Sequence, residues 1–372
     1  MEEYVYIEGK KYRRGYTTGS CATAASKAAV YMLQTQSQID EIDIDTPKGI
    51  PLKIKLHNIV INKEYVECSV QKDGGDDIDA THQMYIYARA EYNKETNENI
   101  LVCGGEGIGV VTRKGLSVEV GKPAINPTPM KMILNEVSKV LNDKKVKITI
   151  SAPEGLKVSQ KTFNPRLGIV GGISIIGTTG IVEPMSDEGW KKSLSLELEM
   201  KKALGIDKVI LVPGNHGEQF IKDKLGLDMK YVVRCSNFIG YMLKEAQRLG
   251  FKKILMAGHI GKFIKLSAGI FDTHSKKADA RSEILVSNLA LMKAPYEMLE
   301  KVNRCLTAEE SIDIINEYGY NDLHNLLCNK GLNRVNLYLQ DEEIKVGVMM
   351  FSMEKIELGK SKNVDDLVGE FV

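Results

Sequence analysis

The chain has 372 residues, of which 43% are hydrophobic, a length and composition that predict a substantial buried core and favour two domains over one. Its 50 Lys and Arg residues almost balance 49 Asp and Glu residues, so no excess of charge would draw the protein to nucleic acid or to a membrane surface. The longest nearly apolar stretch, residues 167–177, is too short to cross a bilayer.

The first half of the chain has the pattern of a β-rich domain. Residues 1–16 contain tyrosines and mixed charges where a secretory signal needs a basic and then an apolar block, so we expect a cytoplasmic protein. An alanine-rich segment predicts a helix at 17–33 that begins at a Thr or Ser cap. Strands are predicted at 41–45, 52–61, 65–71, 84–91 and 146–150, and a second helix at 129–142. This order predicts an α+β N-terminal domain over residues 1–154.

Beyond residue 154, apolar runs alternate with helical stretches, which indicates parallel β-α-β units. The predicted strands are 167–176, 206–212, 231–234 and 253–257, and the predicted helices are 187–204, 216–225, 237–249 and 261–270. After Ala308 we expect one or two helices and a strand that places Ile344, Val346 and Val348 on one face. Which sheet this strand joins stays open. The pattern predicts an α/β domain with a largely parallel sheet over residues 155–372, with ligands at the carboxyl ends of its strands.

Two loops of the first predicted domain are candidate ligand contacts. Thr17 and Thr18 precede the alanine-rich helix, where unpaired amides and hydroxyls can hold an anion, although an ordinary capped helix is the simpler explanation. The segment 104–109, which contains Gly105 and Gly107, superficially matches a nucleotide-binding glycine pattern but continues into β-like valines. Its glycines either let the backbone approach a ligand or bend a sheet.

Two loops in the second predicted domain are candidate ligand contacts. The first fits a nucleoside or an amino-acid ligand, because glycine allows close approach and hydroxyls supply hydrogen bonds. The second directly follows the predicted strand 206–212, where a parallel sheet places ligand contacts. A glycine-bent core strand explains the first of them equally well. The residues concerned are Gly171, Gly172, Ser174, Gly177, Thr178 and Thr179 in the first loop and Gly214 and Asn215 in the second. His216 or Glu218, which follow in the second loop, could move a proton, although an isolated histidine is more often a capping or packing residue.

A cluster of cations follows the predicted strand 253–257. His259, Lys262 and Lys265 recur every three residues, which predicts a carboxylate-binding corner on one side of a helical start. Asp272 and His274 could handle a proton, and Arg281 could grip a carboxylate with two hydrogen bonds. A solvated helix face is the competing explanation of these residues.

The six cysteines are scattered, with no CxxC pair and no histidine at metal-ligand spacing. This arrangement argues against a zinc or iron-sulfur site and predicts reduced, mostly buried thiols.

Several of these segments, in order, resemble the cobalt-precorrin-5B C(1)-methyltransferase family, the CbiD family of anaerobic cobalamin biosynthesis. The resemblance covers roughly residues 14–283. It is carried by the segments 14–19, 21–22, 104–109, 121–127, 171–185 (GGISIIGTTGIVEPM), 213–215, 236–237, 258–265 and 272–275.

The resemblance implies that a methyl group passes from S-adenosylmethionine to C-1 of cobalt-precorrin-5B, giving cobalt-precorrin-6A. The donor would then contact the glycine and hydroxyl residues of 171–179 together with Gly214 and Asn215. The substrate carboxylates would contact Thr17, Thr18, Gly105, Gly107, His259, Lys262, Lys265 and Arg281. The proton lost from the corrin would pass to His216, Asp272 or His274.

Two other functions stay open. One is a nicotinamide-dependent reductase of a tetrapyrrole precursor, although no glycine fingerprint with a following acidic residue opens the second half. The other is a non-catalytic corrinoid-binding protein. We expect neither a nucleic-acid nor a membrane partner, and the sequence leaves open whether the chain forms a homo-oligomer.

Overall fold

The computed structural model describes residues 4–7, 9–94 and 96–372. The chain is a mixed α/β protein that divides into two compact units, residues 1–187 and residues 188–372. Within the described residues, no helix has the length and apolar character that a membrane span requires.

The first unit contains short strands and three helices among its described residues. In chain order they are β1 (Tyr4–Ile7), β2 (Lys10–Arg13), β3 (Gly15–Tyr16), α1 (Thr18–Thr35), β4 (Glu41–Ile44), β5 (Leu52–Lys55), β6 (His57–Ile61), β7 (Tyr65–Gln71), β8 (Tyr85–Tyr92), β9 (Ile100–Gly104), β10 (Val110–Val111), α2 (Pro127–Ser138), β11 (Val146–Ser151), α3 (Gly155–Ser159), β12 (Ile169–Val170) and β13 (Ile181–Val182).

A five-stranded sheet in the order β6-β7-β8-β11-β9 forms the centre of this unit. All neighbouring strands are antiparallel except β9 and β11, which are parallel. Helix α1 packs on β7 and β8, and its alanines are fully buried because small side chains let the helix lie close to the sheet. The predicted helix at 17–33 and the predicted strand at 65–71 are confirmed.

The first unit extends past the predicted domain boundary at residue 154. Ile173, Ile175 and Ile181 belong to its hydrophobic core, and β12 pairs with β10 in an antiparallel ribbon. The prediction of a parallel strand at 167–176 is therefore wrong. The segment has left-handed backbone at Gly168 and Gly171, which interrupts an extended run after two paired residues.

The second unit begins with α4 (Asp187–Ala203) at the boundary. It continues with β14 (Lys208–Val212), α5 (Asn215–Asp223), β15 (Val232–Arg234), α6 (Ile239–Arg248), β16 (Lys253–His259), α7 (Ile260–Phe263), α8 (Arg281–Leu291), α9 (Tyr296–Arg304), α10 (Ser311–Glu317), α11 (Asp322–Leu339), β17 (Lys345–Phe351), β18 (Glu357–Lys360) and α12 (Val364–Gly369), with 3-10 turns at Met229–Tyr231 and Ile264–Ala268.

The sheet of this unit has the order β15-β14-β16-β17-β18. Its first four strands are parallel, and β18 adds an antiparallel edge. Helices α5 and α12 pack on one face around Phe220, Leu367 and Phe371. The C-terminal strand, whose sheet the sequence left open, is β17 beside β16. The predicted helix at 261–270 is wrong, since α7 stops at Phe263 and a 3-10 turn follows.

Candidate functional site

The carboxyl ends of β14 and β16 form the topological switch point of the second unit. The two strands are parallel neighbours, with Leu211 opposite Met256. After β14 the next strand, β15, lies on one side of this pair, and after β16 the next strand, β17, lies on the opposite side. The loops 213–216 and 259–262 therefore follow adjacent strands at the point where the strand order reverses. Open α/β sheets bind their ligands in the crevice at this position.

The loop after β14 exposes an open helix start. Gly214 is the N-cap of α5, no side chain caps the helix, and a Cβ at Gly214 would meet nothing within 4 Å. Asn215 and His216 are exposed. A Cβ at Gly217 would lie 2.6 Å from the Cβ of Val212, so only glycine allows the helix to start this close to the strand. The first amides of α5 can therefore be approached by a ligand.

A held carboxylate lies in the loop 271–274 beside the end of β15. The Asn237 side-chain amide donates to Oδ1 of Asp272 at 3.0 Å, and the His274 backbone amide donates to the same oxygen at 3.3 Å. Ser236 adopts left-handed backbone with φ +53°, which turns the chain immediately before Asn237. Asp272 is therefore oriented through one oxygen, while His274 is exposed and accepts from the Lys276 amide.

Lys265, predicted to bind a substrate carboxylate, is buried. Its ammonium donates to the carbonyl oxygens of Thr273 at 3.1 Å and Ala278 at 2.6 Å. Burial lowers the pKa of the Lys265 ammonium. The side chain ties the loop 271–278 to the turn after α7, which is a structural role.

His259 and Arg281 also have partners within the second unit. His259 accepts the Gly261 amide at Nδ1 (3.2 Å), and its Nε2 lies 2.7 Å from Oε2 of Glu309. Arg281 makes a two-pronged contact with Asp279, at 2.6 and 2.7 Å. These two cations therefore face carboxylates of the chain itself, and their assignment to substrate carboxylates stays a prediction.

Lys262 differs from the other three members of the predicted corner. It is half-buried, and no acidic side chain among the described residues lies within ion-pair distance. Its ammonium acts to lower the pKa of the Cys235 thiol, although the larger effect of burial raises that pKa to about 12. Lys262 thus places an uncompensated positive charge near the loop that follows β15.

In the first unit, the predicted anion site at Thr17 and Thr18 is occupied by the chain itself. Thr17 caps α1 by accepting the Ser20 amide at 3.2 Å, and the Thr18 hydroxyl accepts the Ile176 amide at 2.9 Å. The Gly19 amide donates to the Ile176 carbonyl at 2.9 Å. A Cβ at Gly177 would lie 2.2 Å from Oγ1 of Thr17, so the loop 174–180 closes directly over the helix start.

Gly105 and Gly107 lie where three backbone segments cross. A Cβ at Gly107 would lie 1.8 Å from the Ala152 carbonyl oxygen, and one at Gly172 would lie 2.0 Å from the Gly107 carbonyl oxygen. A Cβ at Gly105 would likewise lie 2.3 Å from the Ser151 hydroxyl oxygen. The glycine pattern at 104–109 therefore permits close packing of the chain on itself.

The loop 171–179 contributes few groups that remain available. Ser174 donates to Oδ1 of Asn164 at 3.1 Å, and Thr179 donates to the Ile181 carbonyl at 2.9 Å. Gly171 and Thr178 are exposed. This loop belongs to the first unit, whereas Gly214 and Asn215 belong to the second, so the predicted donor residues are divided between the units.

Sequence reasoning missed Asn164 and Glu309, and it gave Asn237 no role. Glu309 lies 50 residues after His259, and no local pattern marks the two as partners. Asn237 carried a weak signal, because it follows the end of a predicted parallel strand, where ligand contacts are expected.

Comparison with known proteins decides the family. The family model CbiD matches residues 5–184, and the model for the CbiD C-terminal domain matches residues 272–362. A relative from Clostridioides difficile (strain 630), named cobalt-precorrin-5B C(1)-methyltransferase, is 64% identical over 100% of both chains. The chain belongs to the CbiD family.

Two further comparisons concern a second sequence relative and a solved structure. A protein of the same name from Listeria welshimeri is 49% identical over 100% of both chains. The crystal structure of a cobalamin biosynthesis protein (cbiD) from Archaeoglobus fulgidus is 26% identical, with 76% of this chain and 88% of that chain covered and a TM-score of 0.41.

Proposed function

We propose that this CbiD-family protein is the methyltransferase that converts cobalt-precorrin-5B to cobalt-precorrin-6A by methylating C-1, with S-adenosylmethionine as donor. The observation that carries the proposal is the identity of 64% and 49%, over the full length of both chains, to relatives with the name cobalt-precorrin-5B C(1)-methyltransferase.

We place the donor at the switch point of the second unit. Its residues fit the donor's charges: Lys262 and the open start of α5 suit a carboxylate, whereas Asp272, held by Asn237, suits an ammonium group or ribose hydroxyls. This revises the donor set expected from sequence. It keeps Gly214 and Asn215 and replaces the loop 171–179 by Lys262 and Asp272.

The chemistry asks the protein mainly for positioning. When bound, the sulfonium donor supplies an already activated methyl group, so holding the two reactants in line accounts for much of the rate. Cys235 stays a neutral thiol near pH 7, because burial raises its pKa to about 12, and it offers no competing nucleophile beside the donor. Transfer of the corrin proton to His216, Asp272 or His274 stays a prediction.

The proposed reaction is tested by anaerobic incubation of the full-length protein with purified cobalt-precorrin-5B and methyl-labelled donor, followed by mass analysis. We expect the corrin to gain one labelled methyl group at C-1. A corrin that is bound but returned with unchanged mass would refute the reaction and favour a carrier. Reduction that depends on a nicotinamide would favour the reductase.

The donor position is tested separately by titrating S-adenosylmethionine in a calorimeter. Loss of one charge-assisted contact in Lys262→Gln should weaken donor affinity by about tenfold. Lys224→Gln is the matched control, because Lys224 is an exposed cation at the opposite end of α5 and should leave affinity unchanged. Equal affinities for the two variants would refute the placement.

A further inference from the structure

A substrate with many acetate and propionate groups needs cations that the protein has not already neutralised. Three of the four cations expected to bind those groups have partners inside the second unit: His259 faces Glu309, Arg281 grips Asp279, and Lys265 is buried against two carbonyls. The corrin carboxylates therefore require other contacts, and the first unit contains a surface that supplies them.

That surface is built on the antiparallel ribbon of β10 and β12. Val110 and Val170 are direct partners across the ribbon and remain 41% and 59% exposed. The turn 119–122 is joined to β10, since the Gly121 amide donates to the Val111 carbonyl at 2.8 Å, and it carries Val120, which is 52% exposed. Three valines thus present apolar surface to solvent on adjacent, mutually bonded segments.

The segments that carry Val110 and Val120 also carry three cations. Arg113 and Lys114 follow Thr112 just after β10, and Lys122 lies on the turn. All three are exposed, and among the described residues they have neither an ion pair nor a side-chain hydrogen bond. Glu119 is the single acidic residue between Val110 and Lys122, so the segment has a local excess of positive charge in a chain whose net charge is +1.

The backbone under this surface is fixed. The amide and the hydroxyl of Thr112 both donate to the Gly168 carbonyl, at 2.9 and 2.6 Å. Gly168 has φ +67°, and a Cβ there would lie 2.6 Å from Cγ and Cδ of Arg113, so the arginine stem lies across the glycine. The position of Arg113 therefore depends on a glycine that leaves room for it.

We propose that this valine face, formed by Val110, Val120 and Val170 with Arg113, Lys114 and Lys122, binds the corrin substrate. A corrin is a flat macrocycle with apolar faces and carboxylates around its edge, and exposed valines on segments that also carry exposed cations without ion pairs complement both features. This inference rests on the proposed function for the identity of the ligand. It assigns substrate binding to residues of the first unit that the expected substrate set did not include.

The test titrates cobalt-precorrin-5B into the full-length protein under anaerobic conditions, followed by corrin absorbance, with methyl transfer measured in parallel. The test variants are Arg113→Gln/Lys114→Gln/Lys122→Gln and, separately, Val170→Asp. Each lost cation should weaken binding by about fivefold, on the order of 100-fold for the triple variant, and should flatten the dependence of affinity on salt. Val170→Asp should weaken binding through lost apolar contact and charge repulsion.

Matched controls come from the same unit. Lys55→Gln removes an exposed cation of the β4–β5 hairpin, and Val60→Asp alters a valine on β6 that is 45% exposed. Both should bind and turn over the corrin like the wild type. Arg113→Lys/Lys122→Arg, which keeps the charges, should retain most of the affinity.

The outcomes separate the two proposals. If the wild type methylates the corrin while the triple variant and Val170→Asp bind it as tightly as their controls, the valine face is wrong and the proposed reaction stands. If the wild type neither binds nor methylates the corrin, both proposals fall. A selective loss of corrin affinity in the test variants, with donor affinity unchanged, supports the face.

Discussion

Substitution of Gly107 tests whether the glycine-rich segment 104–109 packs the chain or binds a ligand. Gly107 has φ +71°, and Gly121 has φ +86°, so alanine at either position meets the same backbone penalty of about 1–2 kcal/mol. The surroundings differ. A Cβ at Gly107 would lie 1.8 Å from the Ala152 carbonyl oxygen, whereas a Cβ at Gly121 would meet nothing within 4 Å.

Gly107→Ala must therefore shift the backbone as well, and we expect a total cost of about 4 kcal/mol or more, against about 1–2 kcal/mol for Gly121→Ala. The assay is urea unfolding of both full-length variants followed by circular dichroism. Because each kcal/mol of lost stability lowers the melting temperature by about 2–4 °C, Gly107→Ala should melt several degrees below Gly121→Ala. Equal stability of the two variants, together with corrin affinity lost only in Gly107→Ala, would refute the packing account and support a ligand-binding loop.

Three further predictions concern buried or held polar groups. Lys265→Met removes an ammonium whose pKa in the folded protein lies below its unfolded value of 10.5. Between these two pKa values the unfolded wild-type chain binds more protons than the folded one, so the stability of the wild type relative to the variant should rise with pH. A difference in melting temperature that does not change with pH would contradict this prediction. Lys72→Met should cost about 3 kcal/mol in urea unfolding, because it leaves the Asp79 carboxylate without its partner at 2.6 Å, and adding Asp79→Asn should restore part of the loss. Asn237→Ala removes the hydrogen bond that orients the Asp272 carboxylate, so it should weaken donor affinity about fivefold. An unchanged donor affinity in calorimetry would count against a donor contact at Asp272.

The sequence predicted elements well where local pattern and tertiary packing agree. The strand Tyr65–Gln71 alternates apolar and polar residues, and helix α1 buries a face of alanines, so both were predicted close to their observed bounds. The segment 167–176 failed for a physical reason. Its strand is limited to Ile169–Val170, and Ile173 and Ile175 are buried outside any strand, because glycines turn the backbone and let the segment pack against the loop 104–109. Periodicity cannot distinguish such a run from a buried strand.

The candidate site was predictable only in part. Parallel strands place their following loops at one edge, and on that ground Gly214, His259 and Lys262 were expected near a ligand. Which cations stay available was not predictable, since the acid that pairs with His259 lies 50 residues away in sequence. Local sequence spacing can place cations on one side of a helix. Whether those cations remain available to bind a ligand depends on acidic residues that are distant in sequence and can pair with them in the fold.

Charge balance explains why this distinction matters for a polyanionic substrate. With 50 basic and 49 acidic residues, the chain has about one acidic partner for each basic side chain. An exposed ion pair contributes little to stability, but it leaves neither of its charges available to bind a ligand. A near-neutral protein can therefore hold a polycarboxylate only where the fold separates cations from acids. Arg113, Lys114 and Lys122 meet that condition because β10 and the turn after it bring them onto one ribbon with a single glutamate, beside valines that the fold leaves uncovered. Exposed charges of this kind contribute chiefly to attraction and orientation, and the valines supply contact area, so both are needed for tight corrin binding.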